Sequence, residues 1–288
     1  MEIGLTFLPG DGAVDIARVA RAAENNGFSS LWVGDHLALP LDFEREHEAS
    51  EIGDPYQLLA NISSPLVTLA RAAAVTKHLK IGTAICLPNL REPIALAKDV
   101  ATLDSDCGGR FLFGIGGGWF REEMEIVGAD FPRRGRQLTD SVAAMKKLWT
   151  EDDASHDGPY YQFSHIRMGP RPHQKPHPPI LLAGASQRIY NRVVDWGDGW
   201  IPTVETVEEF RQSQKDFLEA AAKKERDPNE FIQVACGIEN ALRDRKELEA
   251  MREMGVDHLL IWLVERDESV LREIDDLTYL LRDFGESS

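Results

Sequence analysis

Several short segments carry residue types that could do chemistry together. Leu31-Trp32-Val33-Gly34-Asp35-His36 delivers a carboxylate and an imidazole at the end of an apolar, β-type run. Imidazole is the side chain best matched to proton transfer near neutral pH, and an adjacent carboxylate can orient or charge it; the same pair can also cap a turn. Gly114-Ile115-Gly116-Gly117-Gly118-Trp119 closes a second such run. Consecutive glycines either bring backbone amides against a phosphate or planar ring, or make a tight strand-to-helix turn. Trp119 or Arg121 stands where a GxGxxG fingerprint needs its last glycine, and no P-loop ending follows. Ala183-Gly184-Ala185-Ser186 leads into a helical pattern, so Ser186 is either a plain N-cap or part of an anion site with the first amides of that helix. Arg133-Arg134-Gly135-Arg136 either pairs with Asp130 and Asp140 or faces an anionic ligand. His173 and His177 lie in Pro-rich sequence with no Cys partner and no HExxH helix, so no metal site is expected.

These segments sit at the ends of regularly alternating elements. Strands are expected near Ile3 to Leu8, Ser30 to Gly34, Lys80 to Ile85, Phe111 to Ile115, Pro179 to Ala183, Gly199 to Pro202, Phe231 to Cys236 and His258 to Leu263. Helices are expected over Ala13 to Asn26, Ser64 to Lys77, Pro93 to Asp104, Gln137 to Trp149, Gln187 to Trp196, Val207 to Lys224, Arg245 to Met254 and Glu268 to Phe284. Ile16, Val19, Ala20 and Ala23 recur at i, i+3, i+4, i+7, while Gly27 and Gly255 stand where a C′ glycine would end a helix. Eight βα units predict an α/β fold of the (β/α)8 TIM-barrel type, a single domain over residues 1–288, with its chemistry at the C-terminal ends of the strands. Two long stretches interrupt the rhythm: Leu39 to Asn61 after strand two, and Glu151 to His177 before strand five. In the second, Tyr160-Tyr161-Gln162-Phe163 and His165-Ile166-Arg167-Met168 are expected to pair as a hairpin over the barrel.

The 288 residues hold 32 Lys+Arg against 48 Asp+Glu, a formal net charge of −16. Such a surplus argues against nucleic acid and against anionic membranes as partners. A hydrophobic content of 43% suits a well-buried globular core. No leader and no spanning segment is expected, and Cys86, Cys107 and Cys236 lack CxxC spacing, so a cytoplasmic protein with reduced thiols is the expectation.

In order and spacing, Gly27 to His36, Thr102-Leu103-Asp104 with Gly108-Gly109-Arg110-Phe111, the Gly114 to Trp119 loop, Arg133 to Arg136 with Leu148-Trp149, and Pro178-Pro179-Ile180 through Gly197-Asp198-Gly199-Trp200 resemble the luciferase-like monooxygenase superfamily, in particular its deazaflavin-dependent branch. The resemblance implies an oxidoreductase using coenzyme F420, passing a hydride between C5 of the deazaflavin and a small organic substrate, and a homodimer. It implies a non-prolyl cis peptide at Ala84-Ile85 behind the ring. Backbone at Gly116, Gly117, Gly118, Ala183, Gly184 and Ala185, beside Ser186, would hold the ribityl-phosphate side. Asp35 and His36 would flank the ring, with His36 moving the proton. Where the related sugar-phosphate dehydrogenase has a catalytic acid after the glycine loop, this chain has Trp119, with Glu122 and Glu123 out of register; the substrate pocket is then aromatic, including Trp119, Trp262 and Phe7. The alternatives are an FMN-dependent monooxygenase and a non-catalytic flavin or deazaflavin carrier. Against FMN stands the absence of an evident Arg in the glycine loop or near Ser186 for a terminal phosphate.

Overall fold

The computed structural model describes residues 1–41 and 55–282; residues 42–54 and Phe284 lie outside the described residues. The strands among them are β1 (Glu2–Phe7), β2 (Ser30–Val33), β3 (Lys80–Thr83), β4 (Phe111–Ile115), β5 (Ala154–Asp157), β6 (Gln162–Ile166), β7 (Ile180–Ala183), β8 (Gly199–Ile201), β9 (Thr203–Val204), β10 (Ile232–Gly237) and β11 (His258–Trp262). The α-helices are α1 (Ile16–Asn25), α2 (Pro55–Ala60), α3 (Pro65–Ala74), α4 (Pro93–Asp106), α5 (Arg121–Ile126), α6 (Arg134–Thr150), α7 (Gln187–Trp196), α8 (Val207–Lys223), α9 (Arg245–Glu253) and α10 (Ser269–Asp276). Parallel pairing runs β1-β2-β3-β4-β7-β8-β10-β11 and returns from β11 to β1, so all eight expected barrel strands close into a TIM barrel. In the register, Leu5 faces Leu31 on one side and Ile261 on the other. No described helix is long and apolar enough to cross a membrane.

Strand alternation sorts the core into two layers. Ile3, Leu5 and Phe7 point outward into the layer between strands and helices, as do Leu31 and Val33. Trp32, Leu112, Leu181, Val234 and Leu260 fill the barrel interior. Gly82 makes room there, because a Cβ at that position would lie 2.3 Å from the Trp32 ring. The lumen is therefore a packed core, and the strand ends are left to form a site. This layering corrects one expectation: Phe7 is fully buried on the helix side and not in a substrate pocket. Side-chain direction reverses at each residue of a strand, so it is Thr6 that turns inward, toward Cys236.

The first helix starts later than the expected Ala13, at Ile16, and its stop signal works as the sequence suggested. Asp15 caps α1 by accepting from the Ala17 amide at 2.8 Å, and Gly27 ends it with φ +88°. Ile16, Val19, Ala20 and Ala23 are its buried face. Gly255 closes α9 with φ +77°. The last expected helix shortens to α10, followed by a 3₁₀ turn over Leu277–Leu281. The three cysteines are free and buried. Burial raises their thiol pKa values, that of Cys236 to about 11, which keeps them unreactive.

The insertion before β7 does contain a hairpin, with different strands. β5 pairs antiparallel with β6, His156 opposite Phe163. Pairing Tyr160–Phe163 with 165–168 would leave only Ser164 for the turn, fewer residues than a hairpin loop needs. Tyr160 and Tyr161 instead form the turn and donate their amides to Asp140 Oδ2 at 2.9 and 3.0 Å. The other Asp140 oxygen lies 2.9 Å from His156 Nε2. The hairpin is thereby fixed along α6 and does not lie over the mouth.

Candidate active site

At the C-terminal mouth, the ends of β3, β4 and β7 enclose a cavity of about 860 Å³. Its walls include Ile85, Gly116, Gly117 and Gly118 on one side and Ala183, Gly184, Ala185 and Ser186 on the other. The Ala84-Ile85 peptide is cis, as the resemblance implied, and β3 ends before it at Thr83. Two glycines are required by backbone geometry, Gly118 with φ +81° and Gly184 with φ +114°. No hydrogen bond within the described chain uses the amides of Gly117, Gly118, Ala185 or Ser186. Ser186 occupies the N-cap position of α7, yet its side chain makes no capping hydrogen bond. The first amides of that ten-residue helix therefore keep their capacity to hold an anion.

Arginines complete the same cavity: Arg133, Arg134 and Arg136 from one edge, Arg188 and Arg192 from the first turns of α7. Arg188 and Arg192 correct the expectation that no arginine stands near Ser186. The signal was present in the sequence, two and six residues beyond Ser186, but only helical geometry turns both toward the cavity. Of the five, Arg133 alone has a carboxylate within reach among the described residues, Asp130 at 3.3 Å on the exposed rim. Asp140 is engaged by the hairpin instead. Arg134 is held by the Gly118 carbonyl at 2.9 Å and by the Phe131 ring. Burial, then the positive charges of Arg188 and Arg134, lowers the Arg192 pKa. Asn89 ties the two walls together, donating to the Arg134 carbonyl at 2.9 Å and the Gly117 carbonyl at 3.4 Å, while its buried Oδ1 lacks a partner.

Beside this cavity lies a second cluster, at the end of β2. His36 Nδ1 sits 2.8 Å from Glu123 Oε2, with the two side chains 7% and 1% exposed. Glu123 Oε1 accepts from the Leu37 amide at 2.5 Å and the Ala38 amide at 3.3 Å. With both oxygens of Glu123 acting as acceptors, Nδ1 carries the proton and Nε2 is left as the basic atom of the neutral ring. Trp119, which also lines the cavity, meets the imidazole edge-on at 5.9 Å. Glu123, which the sequence reading set aside as out of register, is the carboxylate against His36. It stands four positions past Trp119 on α5, a short helix that the sequence pattern did not reveal, and that turn brings it under His36.

Asp35 is adjacent to His36 in sequence but turned to a different task. Its buried carboxylate makes a bidentate pair with Arg91, at 2.6 and 2.8 Å, and accepts from the Leu87 amide at 2.9 Å. Those contacts fasten the segment that follows the cis peptide, which makes Asp35 a positioning residue for the mouth. Trp262 stands on another side, lining a separate cavity of about 350 Å³ with Leu8, Asn61 and Arg266. The structure thus gathers the glycine loop, Ala183 to Ser186, Ile85 and Trp119 around one cavity with His36 against Trp119, and places Trp262 apart from them.

Barrel and mouth together define the class: a TIM-barrel protein whose strand ends form a cavity walled by glycines and arginines, next to an imidazole held by a buried carboxylate. A profile described as luciferase-like monooxygenase matches residues 6–279, and the chain belongs to that family of oxidoreductases. It is 34% identical over 213 residues to an uncharacterized protein of Mycobacterium tuberculosis (strain ATCC 25618 / H37Rv), covering 72% of this chain and 74% of that one. It is 36% identical over 186 residues to the FMNH(2)-dependent dimethylsulfone monooxygenase of Pseudomonas putida, covering 62% of this chain and 46% of that enzyme. It is 28% identical over 232 residues to the F420-dependent glucose-6-phosphate dehydrogenase of Amycolatopsis mediterranei (strain U-32), covering 77% and 65%. The fold superposes on the coenzyme F420 dependent tetrahydromethanopterin reductase from Methanopyrus kandleri with a TM-score of 0.77, 16% identity and 99% of both chains covered.

Proposed function

We propose that this protein is a coenzyme F420-dependent oxidoreductase acting on a small organic substrate. One observation carries the reading: a glycine-walled cavity with free amides runs into four guanidinium groups that have no carboxylate within 4 Å among the described residues. That arrangement suits a cofactor with a ring, a ribityl-phosphate and further negative charge beyond the phosphate. Gly116, Gly117, Gly118 and Ala183 to Ser186 would hold the ribityl-phosphate side, and Ile85 would back the ring. The bound deazaflavin supplies hydride chemistry at C5. The chain's own contribution is to orient it, to exclude water with Trp119, and to present His36 Nε2 as the proton-transfer atom while Glu123 fixes the proton on Nδ1.

FMN is the second reading, favoured by Arg188 and Arg192 beside the α7 N-terminus, where a phosphate dianion would be well placed. Titration of the purified protein with each cofactor, followed by fluorescence or absorbance, separates them. Stoichiometric binding of F420 with weak FMN binding is the expected result; FMN binding without F420 binding overturns the proposal.

A further inference from the structure

We infer that the cavity of about 350 Å³ beside Trp262 is the substrate site, and that it takes a small zwitterion carrying both a carboxylate and an ammonium-type cation. The inference rests on the oxidoreductase reading above, whose substrate it gives a chemical class, and it is the same for either cofactor. The two cavities take opposite arcs of the barrel mouth. The glycine-walled one opens at the ends of β3, β4 and β7, and this one at the ends of β10, β11 and β1, through Glu239, Trp262 and Leu8. His36 follows β2, which pairs with β1 on one side and β3 on the other, so the imidazole belongs to the strand end between the two arcs. Helix α2 reaches both. Tyr56 packs on Trp119 with ring centroids 6.5 Å apart, while Gln57 and Leu58, next in the chain, line the second cavity.

The walls are stitched together by the backbone. Gly10, after β1, bridges Ile62, and a Cβ on it would lie 2.0 Å from the Asn61 carbonyl oxygen. The Asp11 amide donates to that oxygen at 3.1 Å, which seats Asp11 where the loop after β1 meets the end of α2. Arg266 is tied to the same loop: its Nε donates to the Leu8 carbonyl at 3.0 Å, and its own carbonyl accepts from the Val14 amide at 2.7 Å. Neither terminal nitrogen of Arg266 makes a hydrogen bond among the described residues, and Nη2 is buried as well. Burial lowers the Arg266 pKa, and the charge of Asp11 opposes that effect without an ion pair within 4 Å. Glu239 joins from the loop after β10, in left-handed backbone with φ +49°. One guanidinium and two carboxylates leave the walls net negative, which disfavours a bare anion. A bare cation would leave the unused guanidinium nitrogens unmet. A zwitterion serves both signs: its carboxylate takes the Arg266 nitrogens, and its cation sits with Asp11, Glu239 and the Trp262 ring. A neutral polyol would meet the same groups through hydrogen bonds about half as strong.

The test is isothermal titration of the full chain, without cofactor, with glycine betaine and the free α-amino acids. Cyclopentanecarboxylate and pyrrolidine serve as the anionic and cationic analogues of proline, and glucose as the polyol. The expected result is a zwitterion binding with Kd below about 1 mM, and about tenfold tighter than the singly charged analogues and glucose, the size of one charge-assisted hydrogen bond. Arg266→Gln lowers that affinity about tenfold. Asp11→Asn/Glu239→Gln changes two exposed side chains and turns the walls net positive. In that variant the zwitterion weakens about fivefold while the anionic analogue tightens, a change of opposite sign that misfolding would not produce. Circular dichroism of each variant checks the fold. Absence of zwitterion binding, tighter binding of the anion, the cation or glucose, or zwitterion binding that both variants leave unchanged overturns the inference. Because no cofactor is present, such a failure leaves F420 binding as it stands, and a protein that takes FMN in place of F420 leaves this result as it stands.

Discussion

The two halves of the barrel mouth handle polar groups in opposite ways. On the His36 side every named charge has an internal partner: Glu123 serves His36 and two backbone amides, and Asp35 serves Arg91 and Leu87. Around Ser186 the polar groups are left over among the described residues: uncapped helix amides, free glycine amides and, Arg133 apart, arginines without carboxylates. Internal saturation holds a geometry, because a buried group with its hydrogen bonds made has no cheap alternative position. Donors left unpaired in an open cavity are available to a ligand, so they mark where binding energy is to be gained. On the proposed reading, a single mouth separates the task of fixing a proton-transfer group from the task of holding an anion.

Substitutions test that division, the strongest first. His36→Ala removes the proton-transfer atom and is expected to slow the reductive or oxidative half-reaction by about 10²–10⁴-fold, seen by stopped-flow, with kcat affected more than KM. Were cofactor affinity lost in proportion instead, the two halves would not be separate. Arg91→Ala leaves the buried Asp35 carboxylate without its counter-ion and should destabilise the fold by about 3–5 kcal/mol in urea unfolding. The double change Asp35→Leu/Arg91→Met should recover much of that loss, and failure to do so would mean the pair does more than satisfy itself. Glu123→Gln allows an amide N–H to point at Nδ1 and select the other tautomer; the expected rate loss is on the order of 10²-fold, with partial recovery in Glu123→Asp. Nitrogen NMR of the imidazole in wild type reads the tautomer directly, and a proton found on Nε2 in the neutral ring would refute the assignment.

A smaller effect is expected at Gly118→Ala, where φ of +81° and a Cβ 2.9 Å from the Met124 sulfur should cost about 1–2 kcal/mol of stability. Cofactor affinity should fall with it, measured in the same titration. The smallest lies at the opposite end of the barrel. Glu2 has its pKa lowered to about 2 by His258 and by Lys80, against the effect of burial. A depressed carboxylate pKa contributes stability above the unfolded value near 4.5, and that contribution is lost as pH falls toward 2. With the Glu2 side chain 43% exposed, solvent screening keeps the contribution under about 1 kcal/mol. Glu2→Gln should therefore flatten the acid limb of the stability curve only slightly, and a large change would show that the barrel floor is more tightly coupled than its exposure suggests.

The barrel was legible because its signals are local. Short continuous apolar runs such as Leu31 to Val33, the α1 face of Ile16, Val19, Ala20 and Ala23, and the glycines at 27 and 255 each follow from neighbours a few residues away. Glycine-loop and Ser186 segments were legible for the same reason, as were the positions of Asp35 and His36 at a strand end. Phe7 was misplaced through strand parity, since a one-residue difference decides between mouth and outer layer. Glu123, Arg188 and Arg192 were missed because their importance depends on partners 87 positions away in the chain for Glu123, and across two helices for the arginines.

What the sequence by itself determined is the kind of molecule: eight βα units, a glycine loop, an imidazole at a strand end, and a resemblance strong enough to state the family. Tertiary structure alone decided which carboxylate serves His36, that Asp35 belongs to Arg91, and that the net charge of −16 leaves a local patch of the opposite sign. Periodicity, caps and turns are settled by covalent neighbours, whereas a proton's position and an unpaired charge depend on distances between groups that only folding brings together.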